Sequence, residues 1–127
     1  MPSLTALVAE DNLEFRERIV AMLGELAVES IAAVNGRDAI AVVRDVSREL
    51  HLLITDMEMP HNTGWDVIRA FRDHRGESLP IIMQTGQTQF SYVVHRAREL
   101  DIVLIDKIEL HTRLVPAVRE ALGLDSG

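Results

Sequence analysis

Five short apolar runs, each closing on polar or acidic residues and each followed by a stretch of helical periodicity, constrain this chain more than any other feature. The runs are residues 4–9 (LTALVA), 28–34, 52–55, 80–83 and 102–105. Such runs read as strands buried on both faces. Behind the first, Phe15, Ile19, Met22, Leu23 and Leu26 recur at helical spacing, with Asp11 or Asn12 as the capping residue. Glu29 and Ser30 mark the second run as a partly exposed edge, and Asn35-Gly36 breaks it. Ala39, Ile40, Val43 and Val46 make the second helical stripe. Val67, Ile68 and Phe71 make the third, closed off near Gly76. Phe90, Val93, Val94 and Ala97 make the fourth, and Leu114, Val118, Ala121 and Leu122 the last. Proline is tolerated only in the first turn of a helix, so Pro116 predicts a start for the last helix near His111 or Thr112.

Strand and helix thus alternate five times. That order predicts an α/β fold, with a parallel sheet covered by helices on both faces and wound by right-handed crossovers. Ligands of doubly wound sheets bind outside the carboxyl ends of the strands. At those ends stand Glu10 and Asp11 after the first run, Asp56 after the third, Thr85 after the fourth and Asp106-Lys107 after the fifth.

A chain of 127 residues is the size of one domain, and the expectation is a single domain over residues 1–127, closing on DSG without a linker. The formal charge of −7 opposes direct nucleic-acid binding, which needs a basic face. The chain has no cysteine, which removes disulfides, thiolate metal sites and thiol catalysis. Its opening residues show no basic stretch followed by a long apolar one, so no secretory leader is expected, and it holds no apolar run of membrane-spanning length. The expected location is cytoplasmic, with no membrane partner.

The carboxylates of Glu10, Asp11 and Asp56, converging with a hydroxyl and an ammonium at one sheet edge, need a counterion. Crowded carboxylates repel, and a hard divalent cation relieves that repulsion. Mg²⁺ suits one or two carboxylates with water and phosphate oxygens as the remaining ligands. Lys107 supplies a compact positive charge, and Thr85 a hydroxyl donor for a phosphoryl oxygen. The Gly86 N–H can approach an anion unobstructed by a side chain. Asp56 can then act as a nucleophile on phosphorus, forming an aspartyl phosphate.

The motifs LVAED, ITDMEMPHNTGWD, IIMQTGQ and VLIDK, in this order on the strand ends, resemble those of the response-regulator receiver domains of two-component phosphorelay signalling. AVNGRDAI resembles the start of that family's second helix. The resemblance implies a flavodoxin-like sheet of order 2-1-3-4-5. It implies Asp56 as phosphoacceptor, and Mg²⁺ held by Glu10, Asp11, Asp56 and the backbone carbonyl of Glu58. Thr85 and Lys107 would contact the phosphoryl group, with Gly86 doing so through its backbone. Pro60 and Gly64 match the loop that turns after the acceptor. The implied partner is a sensor histidine kinase or a histidine phosphotransfer protein. Intrinsic Mg²⁺-dependent self-phosphorylation and dephosphorylation are implied too, in a signalling domain rather than an enzyme. The switched surface would be helix four, strand five and helix five, which leaves homodimerisation open. Three positions depart from the family: Ile108 stands where a proline follows the lysine, Leu104 where an aromatic residue switches, and Gly86 where alanine is common. A trans bond is therefore expected between Lys107 and Ile108.

Those departures give weight to an alternative, a receiver-like docking module that works without phosphorylation. A metal-dependent phosphoryl-transfer enzyme is a further reading, opposed by Lys107, Thr85 and the acidic charge. A flavodoxin-like electron carrier is opposed by the acidic EDNLEF where a phosphate loop should be. His51, His61, His74, His95 and His111 lack metal-ligand spacing and read as surface residues. Trp65 and Phe71 read as packing residues.

Overall fold

The computed structural model describes residues 3–124; the closing DSG lies outside them. Five parallel strands, β1 (Thr5–Ala9), β2 (Glu29–Ala33), β3 (Leu52–Asp56), β4 (Ile81–Thr85) and β5 (Val103–Asp106), form one sheet in the order β2-β1-β3-β4-β5. Between and after them run α1 (Leu13–Glu25), α2 (Gly36–Arg44), α3 (Gly64–Arg75), α4 (Ser91–Glu99) and α5 (Leu110–Leu122). This is the doubly wound arrangement that the alternation predicts, in the flavodoxin-like order that the family resemblance implies. The central strands β3 and β4 are buried along their whole length, as strands covered on both faces must be. One face packs Ala6, Val8, Leu52, Ile54, Ile82 and Ile105 against α1 and α5. The other packs Leu7, Ala9, Leu53, Ile81 and Met83 against α2, α3 and α4. β2 and β5 are the edge strands, and their polar or exposed positions follow from having no neighbour on one side.

Local chemistry sets where the helices begin. The Asn12 side chain accepts from the Phe15 N–H and caps α1, so the cap is Asn12 and the Asp11 carboxylate is not used for it. Asn35 caps α2 in the same way. Thr63 and Asp66 form a reciprocal capping box at the start of α3.

Four sequence expectations need correction. α5 starts at Leu110, behind a short 3-10 turn (Lys107–Glu109), so Pro116 lies inside the helix rather than in its first turn. Asp106 starts the winding early by accepting from the Ile108 N–H, and burial of Leu110, Leu114 and Val118 at four-residue spacing sustains it. Pro116 sits on the exposed side, where an unpaired helix carbonyl can be met by water. Val46 is 78% exposed and lies beyond α2, because Asp45 accepts from both the N–H and the hydroxyl of Ser47 and turns the chain. Phe90 is the residue before α4 rather than part of its stripe, and is exposed. His51 is half-buried, not a plain surface residue: its Nδ1 accepts from the Thr5 N–H and its Nε2 faces Glu49. The other four histidines are exposed. Trp65 is half-buried, with the Arg96 guanidinium 4.5 Å from its ring centre.

Candidate functional site

Parallel pairing brings residues far apart in sequence to one edge. Ala9 pairs with Thr55, so Glu10 and Asp56 leave the sheet at the same level. Asp56 pairs with Gln84 and Gln84 with Ile105, so all three point to one face of the sheet. Lys107 follows two residues after Ile105 and reaches over this row. Its Nζ lies 3.1 Å from Asp56 Oδ2 and 3.1 Å from Glu10 Oε1. Carboxylate oxygens of Glu10, Asp11 and Asp56 lie within 4.8 Å of one another. Glu10 and Asp56 are buried, and Asp11 is exposed at the mouth.

The Glu10 carboxylate is held by its surroundings. Glu10 Oε2 accepts from the Asn12 N–H at 3.0 Å, and Oε1 accepts from Gln84 Nε2 at 2.9 Å. Arg16 donates to the main-chain carbonyls of Glu10 and Asp11, fixing the loop that carries them. The Lys107 ammonium also lies 4.6 Å from the centre of the Phe15 ring. Sequence reading missed Gln84, Phe15, Arg16 and Thr88. Phe15 was read only as part of a helical stripe. Gln84 had a usable signal, a polar residue one position before the end of a strand buried on both sides.

Burial shapes the charges. Burial raises the Glu10 carboxyl to about 7, against the Asn12 N–H, with the Asp56 charge adding to the rise and Lys107 opposing it. Burial raises Asp56 as well, partly offset by Lys107. Burial works against the Lys107 ammonium, but the Asp56 and Glu10 charges outweigh it and hold its pKa above the ordinary value. The pocket therefore holds more negative charge than one lysine neutralises. Its donors are all oxygen, with no thiolate or imidazole among them, and the buried Gln84 Oε1 has no partner. That chemistry fits a hard divalent cation such as Mg²⁺.

The loops around the pocket are tightly set. A Cβ on Gly64 would stand 2.1 Å from the Asp56 carbonyl oxygen, and the Gly64 N–H donates to Met57 O at 2.7 Å. Gly64 is thus required by close approach; the positive φ of this loop, +75°, falls on His61 instead. A Cβ on Gly36 would stand 2.2 Å from Asn62 O, so α2 also presses on the loop behind the acid. Gly86 is exposed and a Cβ there would meet nothing within 4 Å. The buried Thr85 hydroxyl accepts from the Gln87 N–H at 3.1 Å. Thr88 donates to Asp106, tying the loop after β4 to the end of β5. The Glu58 side chain is exposed and Pro60 is exposed beside it. Leu104 packs half-buried against the core, and Ile108 is 82% exposed. No peptide bond among the described residues is cis, as expected for Lys107–Ile108. No helix among them is long and apolar enough to cross a membrane.

Comparison with known proteins agrees with this geometry. The chemotaxis protein CheY of Pseudomonas aeruginosa is 31% identical over 94 residues, covering 72% of this chain and 74% of that protein. The autoinducer 1 sensor kinase/phosphatase LuxN of Vibrio harveyi is 29% identical over 95% of this chain, which spans only 13% of LuxN. The chain likewise spans 20% of the response regulator-like APRR9 of Arabidopsis thaliana. Among solved structures, CheY4 of Vibrio cholerae superposes with a TM-score of 0.83 at 21% identity, covering 95% of this chain and 100% of CheY4. A CheY-like receiver domain protein of Methanospirillum hungatei reaches 0.85 at 16% identity, covering 96% and 95%. These two likenesses speak for the fold. The model of the family described as the response regulator receiver domain matches residues 6–118, and the chain belongs to that family of two-component signalling domains.

Proposed function

We propose that this domain accepts a phosphoryl group on Asp56 from a partner's phosphohistidine. The observation that carries this reading is the Lys107 ammonium, 3.1 Å from both Asp56 and Glu10, in a buried pocket built from three strand ends. An Asp56 carboxylate oxygen attacks phosphorus, the P–O bond of an acyl phosphate forms, and the P–N bond to the donor imidazole breaks. The electron pair of that bond stays on the imidazole nitrogen. Glu10, Asp11, Asp56 and the Glu58 backbone carbonyl would hold Mg²⁺. When bound, that ion supplies neutralisation of the developing phosphoryl charge and in-line orientation. Lys107 pairs with the phosphoryl oxygens once its partner carboxylate is esterified. Thr85 leaves the Gln87 N–H to donate to a phosphoryl oxygen, and the Gly86 N–H adds a backbone donor. Such differential contacts bias the surface of α4, β5 and α5 between two states. A sensor histidine kinase or histidine phosphotransfer protein is the donor in this reading, and small phosphodonors replace it in self-phosphorylation. A cytoplasmic location and a single receiver domain over residues 1–127 go with it.

The test is intact mass after treatment with Mg²⁺ and a small phosphodonor. One phosphoryl adduct on the wild type and none on Asp56→Asn is the expected result. An equal adduct on Asp56→Asn would refute the assignment. Leu104, half-buried against the core, and Ile108 in solvent favour one second reading, a docking module that works without phosphorylation. Absence of adduct on both proteins is its signature.

A further inference from the structure

Gln84 is out of place as a packing residue. It ends a run of Ile81, Ile82 and Met83, has no exposed surface, and leaves its Oε1 buried without a partner. An unpaired buried carbonyl lowers stability. Methionine or leucine would fill the volume without that cost. Fold stability therefore does not account for the residue, but its other end does. Nε2 donates to Glu10 Oε1 at 2.9 Å while the Asn12 N–H holds Oε2 at 3.0 Å. The carboxylate is gripped from β4 on one side and from the start of α1 on the other. The reverse amide orientation would set the Gln84 oxygen against an acceptor-only carboxylate. The free Oε1 thus follows from serving Glu10, and it is left as an acceptor for a water donor in the pocket. Mg²⁺ retains several waters of that kind.

We propose that Gln84 is a positioning residue for the divalent cation: its carboxamide fixes the Glu10 carboxylate in the orientation that shares the ion with Asp11 and Asp56. The inference rests on the Mg²⁺ pocket proposed above. Calorimetric titration of MgCl₂ into wild type, Gln84→Met and Gln84→Leu tests it, alongside metal-free melting and the phosphorylation rate at saturating Mg²⁺. Residues that orient metal ligands alter affinity about 10–100-fold when removed. Both variants should weaken Mg²⁺ binding about tenfold. Their metal-free melting temperatures should match or exceed the wild type. Their saturated rates should stay within about twofold of the wild type, since only ion capture is impaired. Unchanged Mg²⁺ affinity overturns the proposal. So does a fall in melting temperature and saturated rate in step with affinity, which marks a packing role only. A wild type that binds no Mg²⁺ overturns the pocket itself and this inference with it, and is told apart because the wild-type titration alone is flat.

Discussion

A carboxyl group with no exposed surface, such as that of Glu10, holds its proton more tightly than one in water, and its neighbours here do not reverse that effect. Folding shifts the group from 4.5 to about 7. Between those values the folded protein carries a proton that the unfolded chain has released. The metal-free domain therefore loses stability as pH rises from 4.5 to about 7, and chemical denaturation at several pH values should show that loss. Mg²⁺ needs the ionised form, so its affinity should rise over the same interval by up to about tenfold per pH unit. A flat affinity profile would show that Glu10 is already ionised or does not meet the ion. The glycines give a second contrast. Gly64→Ala drives a Cβ into the Asp56 carbonyl and should cost about 1–3 kcal/mol while slowing phosphorylation. Gly86→Ala meets open space and should change stability by less than about 0.5 kcal/mol. Urea midpoints separate the two. Asp56, Glu10 and Lys107 were legible in the sequence because acids and a lysine interrupt apolar runs at strand ends. Gln84 carried only the signal of a polar residue near the end of a buried strand; its role was not legible, because it depends on which face of β4 it shares with Asp56, and that is a matter of register.

Among the elements, α2 and α3 are joined by one guanidinium. Arg75, in the last turn of α3, donates to the carbonyls of Val42, Val43, Asp45 and Arg48 around the end of α2, at 2.6–3.3 Å. These carbonyls lie at and beyond a helix C-terminus, where unpaired acceptors favour a cation. Arg75→Ala should cost about 2–3 kcal/mol in urea denaturation with an unchanged m-value. Arg75→Lys should recover less than half of it, because an ammonium cannot span the four acceptors as a planar fork does. Full rescue by lysine would mean that charge alone holds the pair. Nothing in the sequence announces this link, since it joins residues about 30 apart through backbone acceptors that carry no sequence signal. The same limit explains the misplaced start of α5. Pro116 argues for a later helix, while the Asp106 cap and the buried series of Leu110, Leu114 and Val118 begin it earlier. Val46 and Phe90 fit a helical spacing by chance, and the Asp45–Ser47 turn and the chain before α4 exclude them.

For the whole molecule, the doubly wound parallel sheet and the edge that carries the pocket were readable because alternating strands and helices admit few connections, while the strand order came only with the family resemblance. The pattern already set three carboxylates against a single lysine; what it could not supply was that two of them, Glu10 and Asp56, are buried while Asp11 is exposed. That imbalance would make Mg²⁺, bound as proposed, a stabiliser of the fold. At 100 times its dissociation constant, an ion bound only by the folded state adds about 2.7 kcal/mol. Saturating Mg²⁺ should therefore raise the melting temperature by about 5–10 °C. Thermal scans with and without MgCl₂ would show it, and the shift should shrink in Glu10→Gln. Equal shifts in wild type and Glu10→Gln would place the ion elsewhere. The account as a whole turns on where a phosphoryl group attaches. Reduction of the phosphorylated protein with borohydride converts an aspartyl phosphate to homoserine, and peptide sequencing by mass spectrometry then locates it. Homoserine at position 56, dependent on Mg²⁺, is the predicted result; modification at Asp11 or Glu58 with position 56 unchanged would contradict it.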